Sequence, residues 1–169
     1  DRFKQIKPKV LITSDYYFYN GKKINILEKV NSILEQIPSI KRTIVFPYNK
    51  KETTEIYKFI NFDEVLKHSK LDETFERFEF NHPIYILYSS GTTGKPKCIT
   101  HGAGNVLIEH NKEFMLHCDI RDNEKIFYYT TTGWMMWNWL IGGLTTGSSI
   151  FLFDGAPTYP KIDILLEYC

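Results

Sequence analysis

The most informative stretch of this chain reads Ile86-Leu-Tyr-Ser-Ser-Gly-Thr-Thr-Gly-Lys-Pro-Lys97. An apolar, β-prone run at 84–88 leads into four hydroxyl residues, two glycines and two lysines, and we expect a helix to follow. Main-chain N–H groups, hydroxyls and ammonium groups in such a loop can surround phosphate oxygens. Gly91 and Gly94 leave no side chain in the way of a ligand. The stretch therefore predicts a strand that ends in a phosphate-binding loop.

The loop differs from the common nucleotide-binding motifs. A P-loop needs two glycines five positions apart and then Lys-Ser or Lys-Thr, whereas Gly91 and Gly94 are three apart and Lys95 precedes Pro96. The dinucleotide pattern G-x-G-x-x-G is also missing here. All positions from Ile86 to Lys97 instead agree with the phosphate-loop signature of the adenylate-forming enzymes, so the chain resembles that superfamily. A generic Gly/Ser/Thr linker would reproduce only a few of these positions.

Composition describes a globular chain of 169 residues, 43% hydrophobic and 24% charged. The formal net charge is +1 and no basic stripe is visible, which argues against nucleic acid as a partner. The most apolar region, 134–153, is interrupted by Asn138, Gly142 and Gly143, so we expect no membrane insertion.

The cysteines are odd in number and far apart: Cys98, Cys118 and Cys169. They form neither a Cys-x-x-Cys metal pair nor an obvious disulfide framework. This usage favours a reducing, cytoplasmic location.

Apolar periodicity predicts strands that alternate with helices. We expect strands at 10–13, 43–46, 84–88, 125–129 and 149–153, and helices at 26–37, 63–67, 102–118 and 134–144. This order is typical of an α/β fold with an open, largely parallel sheet flanked by helices. Ligands bind at the carboxyl ends of strands in such sheets. We therefore expect the loops at 89–97, 130–134 and 154–160 to share one edge.

Two further local predictions follow from the same pattern. Asn25 and Glu28 have the spacing of a capping box at the start of the first long helix. The polar stretch 49–81 is interpreted as a surface connector.

The helix at 102–118 carries two histidines on its apolar face. Steps of 100° place Ala103 and Phe114 on the same face as His110 and His117, with Glu113 at its edge. A metal site formed by the two histidines and Glu113 is one interpretation. We favour the other, in which both histidines face the core with ordinary hydrogen-bond partners, and we predict no metal site in this chain.

A second constellation, Tyr129-Thr-Thr-Thr-Gly-Trp-Met-Met-Trp-Asn138, follows a predicted strand. Clustered aromatic and methionine side chains often only fill a core. Its position on the same predicted edge as the phosphate loop favours an acid-binding pocket instead. The candidate pocket residues are Gly133, Trp134, Met135 and Met136.

The resemblance narrows at this point to the acetoacetyl-CoA synthetase family. It rests on Tyr129–Asn138, on His101-Gly102 and on Asp154-Gly-x-Pro-x-Tyr-Pro160, with Pro8–Leu11 and Tyr19–Lys22 upstream. Acetyl- and propionyl-CoA synthetases share the loop and the Gly-Trp pair, but usually lack the Met-Met-Trp-Asn continuation. The likeness covers nearly the whole chain and is weakest at 49–81.

The resemblance implies that residues 1–169 are an incomplete, internal part of the large N-terminal AMP-binding domain, with the C-terminal domain absent. It implies a ligase that joins acetoacetate to AMP, with release of pyrophosphate from ATP, and then passes the acyl group to coenzyme A. The alternatives are an acetyl-, propionyl- or butyryl-CoA synthetase, a non-catalytic nucleotide-binding homologue, or an interaction module that kept the loop. The oligomeric state is left open.

The resemblance also assigns residues. The ATP phosphates would contact Ser89, Ser90, Gly91, Thr92, Thr93, Gly94, Lys95 and Lys97. Lys97 would be catalytic, because it balances charge on the leaving group, and Gly133 to Met136 would line the acyl pocket. The Mg²⁺ ligand, the ribose-binding Asp and the catalytic Lys of the C-terminal domain are expected outside this chain, so we expect the isolated chain to be inactive. Cys98 stands where the superfamily often has Gly.

Overall fold

The structure is a computed structural model that describes residues 2–49, 59–68, 74–89 and 94–168. The chain divides into two compact units, the first formed by Asp1–Thr74 with Gly155–Cys169 and the second by Phe75–Asp154. The boundary after Thr74 falls within the stretch 49–81 that was interpreted as a connector.

The first unit is built on a three-stranded parallel sheet with the order β1-β4-β5. Its strands are β1 (Val10–Ser14), β4 (Arg42–Phe46) and β5 (Ile60–Asn61), and β2 (Tyr16–Tyr19) pairs antiparallel with β3 (Lys22–Asn25). Its helices are α1 (Arg2–Ile6), α2 (Leu27–Gln36) and α3 (Phe62–His68), with a 3₁₀ turn at Ile164–Tyr168. The predicted strands at 10–13 and 43–46 and the short helix near 63–67 are confirmed.

Helix α2 begins one residue later than the predicted capping box requires. Its N-cap is Ile26, with no side-chain cap hydrogen bond. Because Asn25 lies one position before the cap, its Oδ1 accepts from the N–H of Leu27, at 3.0 Å, within the first turn. The Asn25–Glu28 capping box was therefore wrong. The helix buries Val30 and ends two residues before Pro38, as the apolar spacing predicted.

A fully buried carboxylate joins the strand ends of this unit. Asp15 follows β1, and its Oδ1 accepts from the N–H groups of Tyr16 (2.8 Å) and Tyr48 (2.9 Å). Its main chain bonds to Phe46 and Ile26, at 3.2 and 3.1 Å. One residue thus ties the ends of β1 and β4 to the start of α2.

The described residues of the second unit form two small sheets and two helices. Its antiparallel pair is β6 (Pro83–Ser89) with β7 (Lys97–Gly102), and its parallel pair is β8 (Lys125–Phe127) with β9 (Ser149–Phe151). Its helices are α4 (Ala103–Lys112), continued by a π-helical turn at Glu113–His117, and α5 (Met135–Gly142), continued by a 3₁₀ turn at Gly143–Thr146. The buried core is Phe114, Ile126 and Leu140.

The α/β class with parallel strands and flanking helices is confirmed, but the strands are distributed differently from the expectation. Among the described residues they form four small sheets, two of which are antiparallel hairpins. The helix expected from about Gly102 is confirmed as α4, but the strand β7 between the phosphate loop and this helix was not predicted, and it pairs with β6 as a hairpin. The single sheet edge expected for three loops is not seen among the described strands, because β6 pairs with β7 and β8 pairs with β9.

The π-helical turn changes which face of the α4 region is buried. The N–H of Cys118 bonds to the carbonyl of Glu113, at 2.9 Å, an i→i+5 contact. The wider turn rotates later residues away from a 100° pattern, so Phe114 is buried while the His117 side chain is 60% exposed. The predicted core position of His117 was wrong, whereas His110 is half-buried.

Clusters of metal ligands and membrane-spanning helices are both absent from residues 2–49, 59–68, 74–89 and 94–168. No group of three or more His, Cys, Asp or Glu side chains there could hold a metal ion. No helix in that part of the chain has the length and apolar character needed to cross a bilayer.

Replacing Asp15 by Ala should lower the free energy of unfolding by about 2–4 kcal/mol, because the N–H groups of Tyr16 and Tyr48 both lose a buried acceptor oxygen. Asp15→Asn keeps one acceptor oxygen and should cost less than half as much. Urea unfolding of the complete gene product that contains this chain would measure both variants. Equal midpoints for Asp15→Ala and the unsubstituted protein would contradict the bracing role of this carboxylate.

Candidate functional site

The β6–β7 hairpin brings the two ends of the predicted phosphate loop together. Ser89 lies directly opposite Lys97, and the next pair on the same face of the hairpin is Leu87 opposite Ile99. Directly opposed residues of an antiparallel pair share one face, with Cβ atoms roughly 5 Å apart. The hydroxyl of Ser89 and the ammonium stem of Lys97 therefore start from neighbouring positions on the same face.

The described part of the loop offers two cations and one special backbone position. Lys95 and Lys97 are exposed. Gly94 has φ of 103°, and an added Cβ would meet nothing within 4 Å. This glycine is therefore required by its backbone conformation and not by lack of space. Ser90, Gly91, Thr92 and Thr93 lie outside the described residues.

A small depression lies where the carboxyl ends of β8 and β9 meet α5. It measures about 240 Å³, including space open to solvent. The lining is mainly aromatic and aliphatic, contributed by Phe127, Tyr128, Tyr129, Thr130, Trp137, Leu140, Phe151, Leu152 and Phe153. The rings of Phe127 and Phe151 meet edge to face at 5.2 Å between centroids. The position agrees with the rule that ligands gather at the carboxyl ends of parallel strands.

The predicted acyl-pocket residues do not line this depression. Gly133, Trp134 and Met135 are exposed, Trp134 at 70% and Met135 at 55%, and Met136 is half-buried. Helix α5 starts at Met135 with Trp134 as its N-cap, so Trp134 precedes the helix and Met135 is its first residue. Trp137, from the same motif, does line the depression. Its spacing of three from the buried Leu140 was the sequence signal for it.

Helices α4 and α5 approach each other at a glycine. An ideal Cβ placed on Gly142 would lie 2.0 Å from Nδ1 of His110 and 2.7 Å from its Cγ. The His110 ring also meets Phe114 edge to face, at 6.4 Å between centroids. Burial lowers the pKa of His110 below 6.5, and the nearby Glu109 carboxylate opposes that shift in part. The histidine therefore serves as a packing group in its neutral form.

Polar contacts join the end of α5 to α4. Oγ1 of Thr145 lies 2.8 Å from the carbonyl oxygen of Gly142 and 3.2 Å from Oδ1 of Asn111, and donates to one at a time. The hydroxyl of Ser148 donates to the carbonyl of Gly143, at 2.8 Å. These bonds satisfy carbonyl groups that a helix end leaves without an intrahelical partner.

The whole chain matches one family model. Residues 1–169 match the family described as AMP-binding enzyme, so the chain belongs to the AMP-binding enzyme family.

Within that family the similarity is to acetoacetyl-CoA synthetases. The chain is 46% identical to the acetoacetyl-CoA synthetase of Gallus gallus, over 99% of this chain and 26% of that protein. The solved acetoacetyl-CoA synthetase from Streptomyces lividans superposes with a TM-score of 0.88 at 40% identity, over 96% of this chain and 25% of that one. A malonamoyl-CoA synthetase of Penicillium aethiopicum is 37% identical, over 94% of this chain and 23% of that protein. The chain thus spans about a quarter of the length of these relatives.

The stability of the protein should depend on His110 at acid pH. The folded state depresses the pKa of this imidazole, so its contribution is complete above about pH 6.5 and is lost as the pH falls towards the folded-state pKa. Urea midpoints at about pH 7 and pH 5 should therefore fall further apart in the unsubstituted protein than in His110→Gln. Equal differences in the two proteins would show that His110 does not titrate with unfolding.

Proposed function

We propose that this chain is part of an ATP-dependent acyl-CoA ligase whose preferred acid is acetoacetate. The observation that carries the proposal is the β6–β7 register, which holds Ser89 opposite Lys97 at the base of a Ser/Thr/Gly/Lys loop. Family membership and the similarity to acetoacetyl-CoA synthetases over 99% of the chain support it. Other parts of the protein would supply the adenosine and coenzyme A sites.

In the first step, an oxygen of the acid carboxylate attacks the α-phosphorus of ATP, and the bond to the pyrophosphate oxygen breaks. The products are the acyl-adenylate and pyrophosphate. In the second step, the thiol of coenzyme A attacks the acyl carbon, AMP leaves, and the thiol proton passes to solvent or a base. Rate enhancement in such transfers comes chiefly from positioning and from neutralising oxygen charge.

The phosphate loop would supply that neutralisation. Its hydroxyls, amides and ammonium groups would surround the ATP phosphates through Ser89, Ser90, Gly91, Thr92, Thr93, Gly94, Lys95 and Lys97. Lys97 would act as the catalytic residue by balancing the charge that develops on pyrophosphate. Its fixed place opposite Ser89 favours it over Lys95, which lies nearer the tip of the loop. A Mg²⁺ ion would neutralise further phosphate charge, with its protein ligand outside this chain.

The acid would bind beside the start of α5. Gly133 leaves room for close approach, and Trp134, Met135 and Met136 present a soft apolar surface. Acetoacetate and malonamate both carry a carbonyl group β to the carboxylate. Similarity to synthetases named for each acid therefore supports a β-carbonyl acid over a simple alkanoate.

The proposal includes a cytoplasmic location and small-molecule partners, namely acetoacetate, ATP and coenzyme A, without nucleic acid or membrane insertion. It is supported by the two described cysteines, which are both free thiols, by the net charge of +1, and by the lack of a membrane-spanning helix in the described ranges.

Substituting Lys97 by Ala should slow acid-dependent exchange of labelled pyrophosphate into ATP by about 10- to 100-fold, since a charge-assisted contact contributes roughly 1.5–3 kcal/mol. Lys97→Arg should retain more activity than Lys97→Ala. The matched control is Lys67→Ala, an exposed lysine on α3, which should stay within about twofold of the unsubstituted rate. Parallel losses in the two alanine variants would contradict the catalytic role of Lys97.

The substrate is tested with the complete gene product and a panel of acetoacetate, malonamate, acetate, propionate and butyrate. Fastest exchange with acetoacetate supports the proposal. If another acid gives the fastest exchange, the adenylation chemistry is supported and acetoacetate is rejected as the preferred substrate. A folded protein that exchanges with none of them is a non-catalytic nucleotide-binding homologue.

A further inference from the structure

His110 has no part in the phosphate loop and belongs to no metal cluster among the described residues. Its ring instead fills the gap between α4 and Gly142 of α5. The contact distance is so short that no side chain larger than hydrogen fits at 142 unless the imidazole moves. At this point the imidazole of α4 therefore packs directly against the main chain of α5.

The same interface continues into the core. The ring of Phe114 packs on Trp139 of α5, at 4.4 Å between centroids, and Trp139 meets Tyr128 edge to face at 5.9 Å. On the following 3₁₀ turn, an added Cβ at Gly143 would lie 2.5 Å from Cδ1 of Ile126. The buried side of α5 therefore contacts α4 and β8 closely along its length, so a change in one of these contacts shifts the helix relative to its neighbours.

Helix α5 is eight residues long. At 1.5 Å per residue its two ends are about 10 Å apart, and a helix this short moves as one body. A displacement imposed at Gly142 thus reaches Met135 and the preceding Trp134 with little loss. Misplacement of a binding group by about 1 Å can cost roughly 10²-fold in rate.

We propose that His110 is a positioning residue for the acid substrate: by packing against Gly142 it fixes α5, and so sets where Trp134, Met135 and Met136 meet the acyl group. This inference rests on the proposed function. His110 does not touch the acid and acts only through the helix. Its effect should therefore fall on the acid and spare ATP, because the proposed phosphate-binding residues lie at the Ser89–Lys97 end of the hairpin, whereas α4 continues from the opposite end, at Gly102.

The test is a size exchange across the interface in the complete gene product. Gly142→Ala forces the imidazole aside, and we expect the KM for acetoacetate to rise at least tenfold while the KM for ATP stays within about twofold. His110→Ala leaves a gap and should raise the acetoacetate KM by a smaller factor. In the double variant His110→Ala with Gly142→Ala, the new methyl group occupies the space that the imidazole ring leaves. The KM for acetoacetate should therefore return most of the way to the unsubstituted value.

A matched control separates positioning from loss of stability. Val30→Ala removes buried methyl groups from α2, in the other unit, and should lower the melting temperature without raising the KM for acetoacetate. The proposal is supported if the KM for acetoacetate returns towards the unsubstituted value in the double variant and does not rise in Val30→Ala. If Gly142→Ala does not fold, His110→Ala alone is the test. The KM for acetoacetate should then rise more than the KM for ATP.

Three results would overturn the proposal. One is an acetoacetate KM that is unchanged in the Gly142 and His110 variants. Another is a KM for ATP that rises as much as the KM for acetoacetate. The third is a double variant no better than Gly142→Ala. The unsubstituted protein gives the separate check: without acid-dependent exchange there, the proposed function itself fails and this inference fails with it.

Discussion

Main-chain pairing between β6 and β7 is the constraint on which the candidate site depends. A flexible loop of glycines, hydroxyls and lysines has many conformations, and a ligand must offset the entropy of ordering them. The hairpin fixes the two residues that flank the loop, because Ser89 and Lys97 are held opposite each other by the ladder. Ser89 and Lys97, which we propose to bind phosphate, are therefore held in neighbouring positions in advance.

Buried contacts, more than surface charge, set the energetics of both units. Lys112 pairs with Glu109 and Glu113, at 2.9 and 3.0 Å, on an exposed helix surface, where screening by solvent leaves such pairs with little net effect on stability. They raise the pKa of Lys112 and lower that of Glu113, with little effect on the fold. At the buried Asp15 side chain and at the close contact of Gly142, water cannot take the place of the protein groups if they are removed.

Strong local patterns were predictable from the sequence, and features that depend on distant partners were not. Apolar runs predicted β1, β4, β6, β8 and β9, because each buries part of a short hydrophobic segment. The strand Lys97–Gly102 has a mixed polar sequence, and its conformation comes from pairing with β6. The π turn has no periodic signature, so the exposure of His117 was missed. In the site, the loop motif identified residues by type, but the inward position of Trp137 depended on where α5 begins.

The glycine contact between α4 and α5 lies at the packed end of α5, whereas the side chains at the start of that helix are exposed. The buried side of α5 is held by main chain and ring packing, while Trp134 and Met135 at its start are exposed and carry no core contacts of the kind made by Leu140. Substitutions at these two positions can accumulate without unfolding the scaffold or altering the loop on the neighbouring hairpin. Under the proposed function, such a layout would let gene duplicates change their acid preference through a few substitutions at one helix end, with the phosphate loop unchanged.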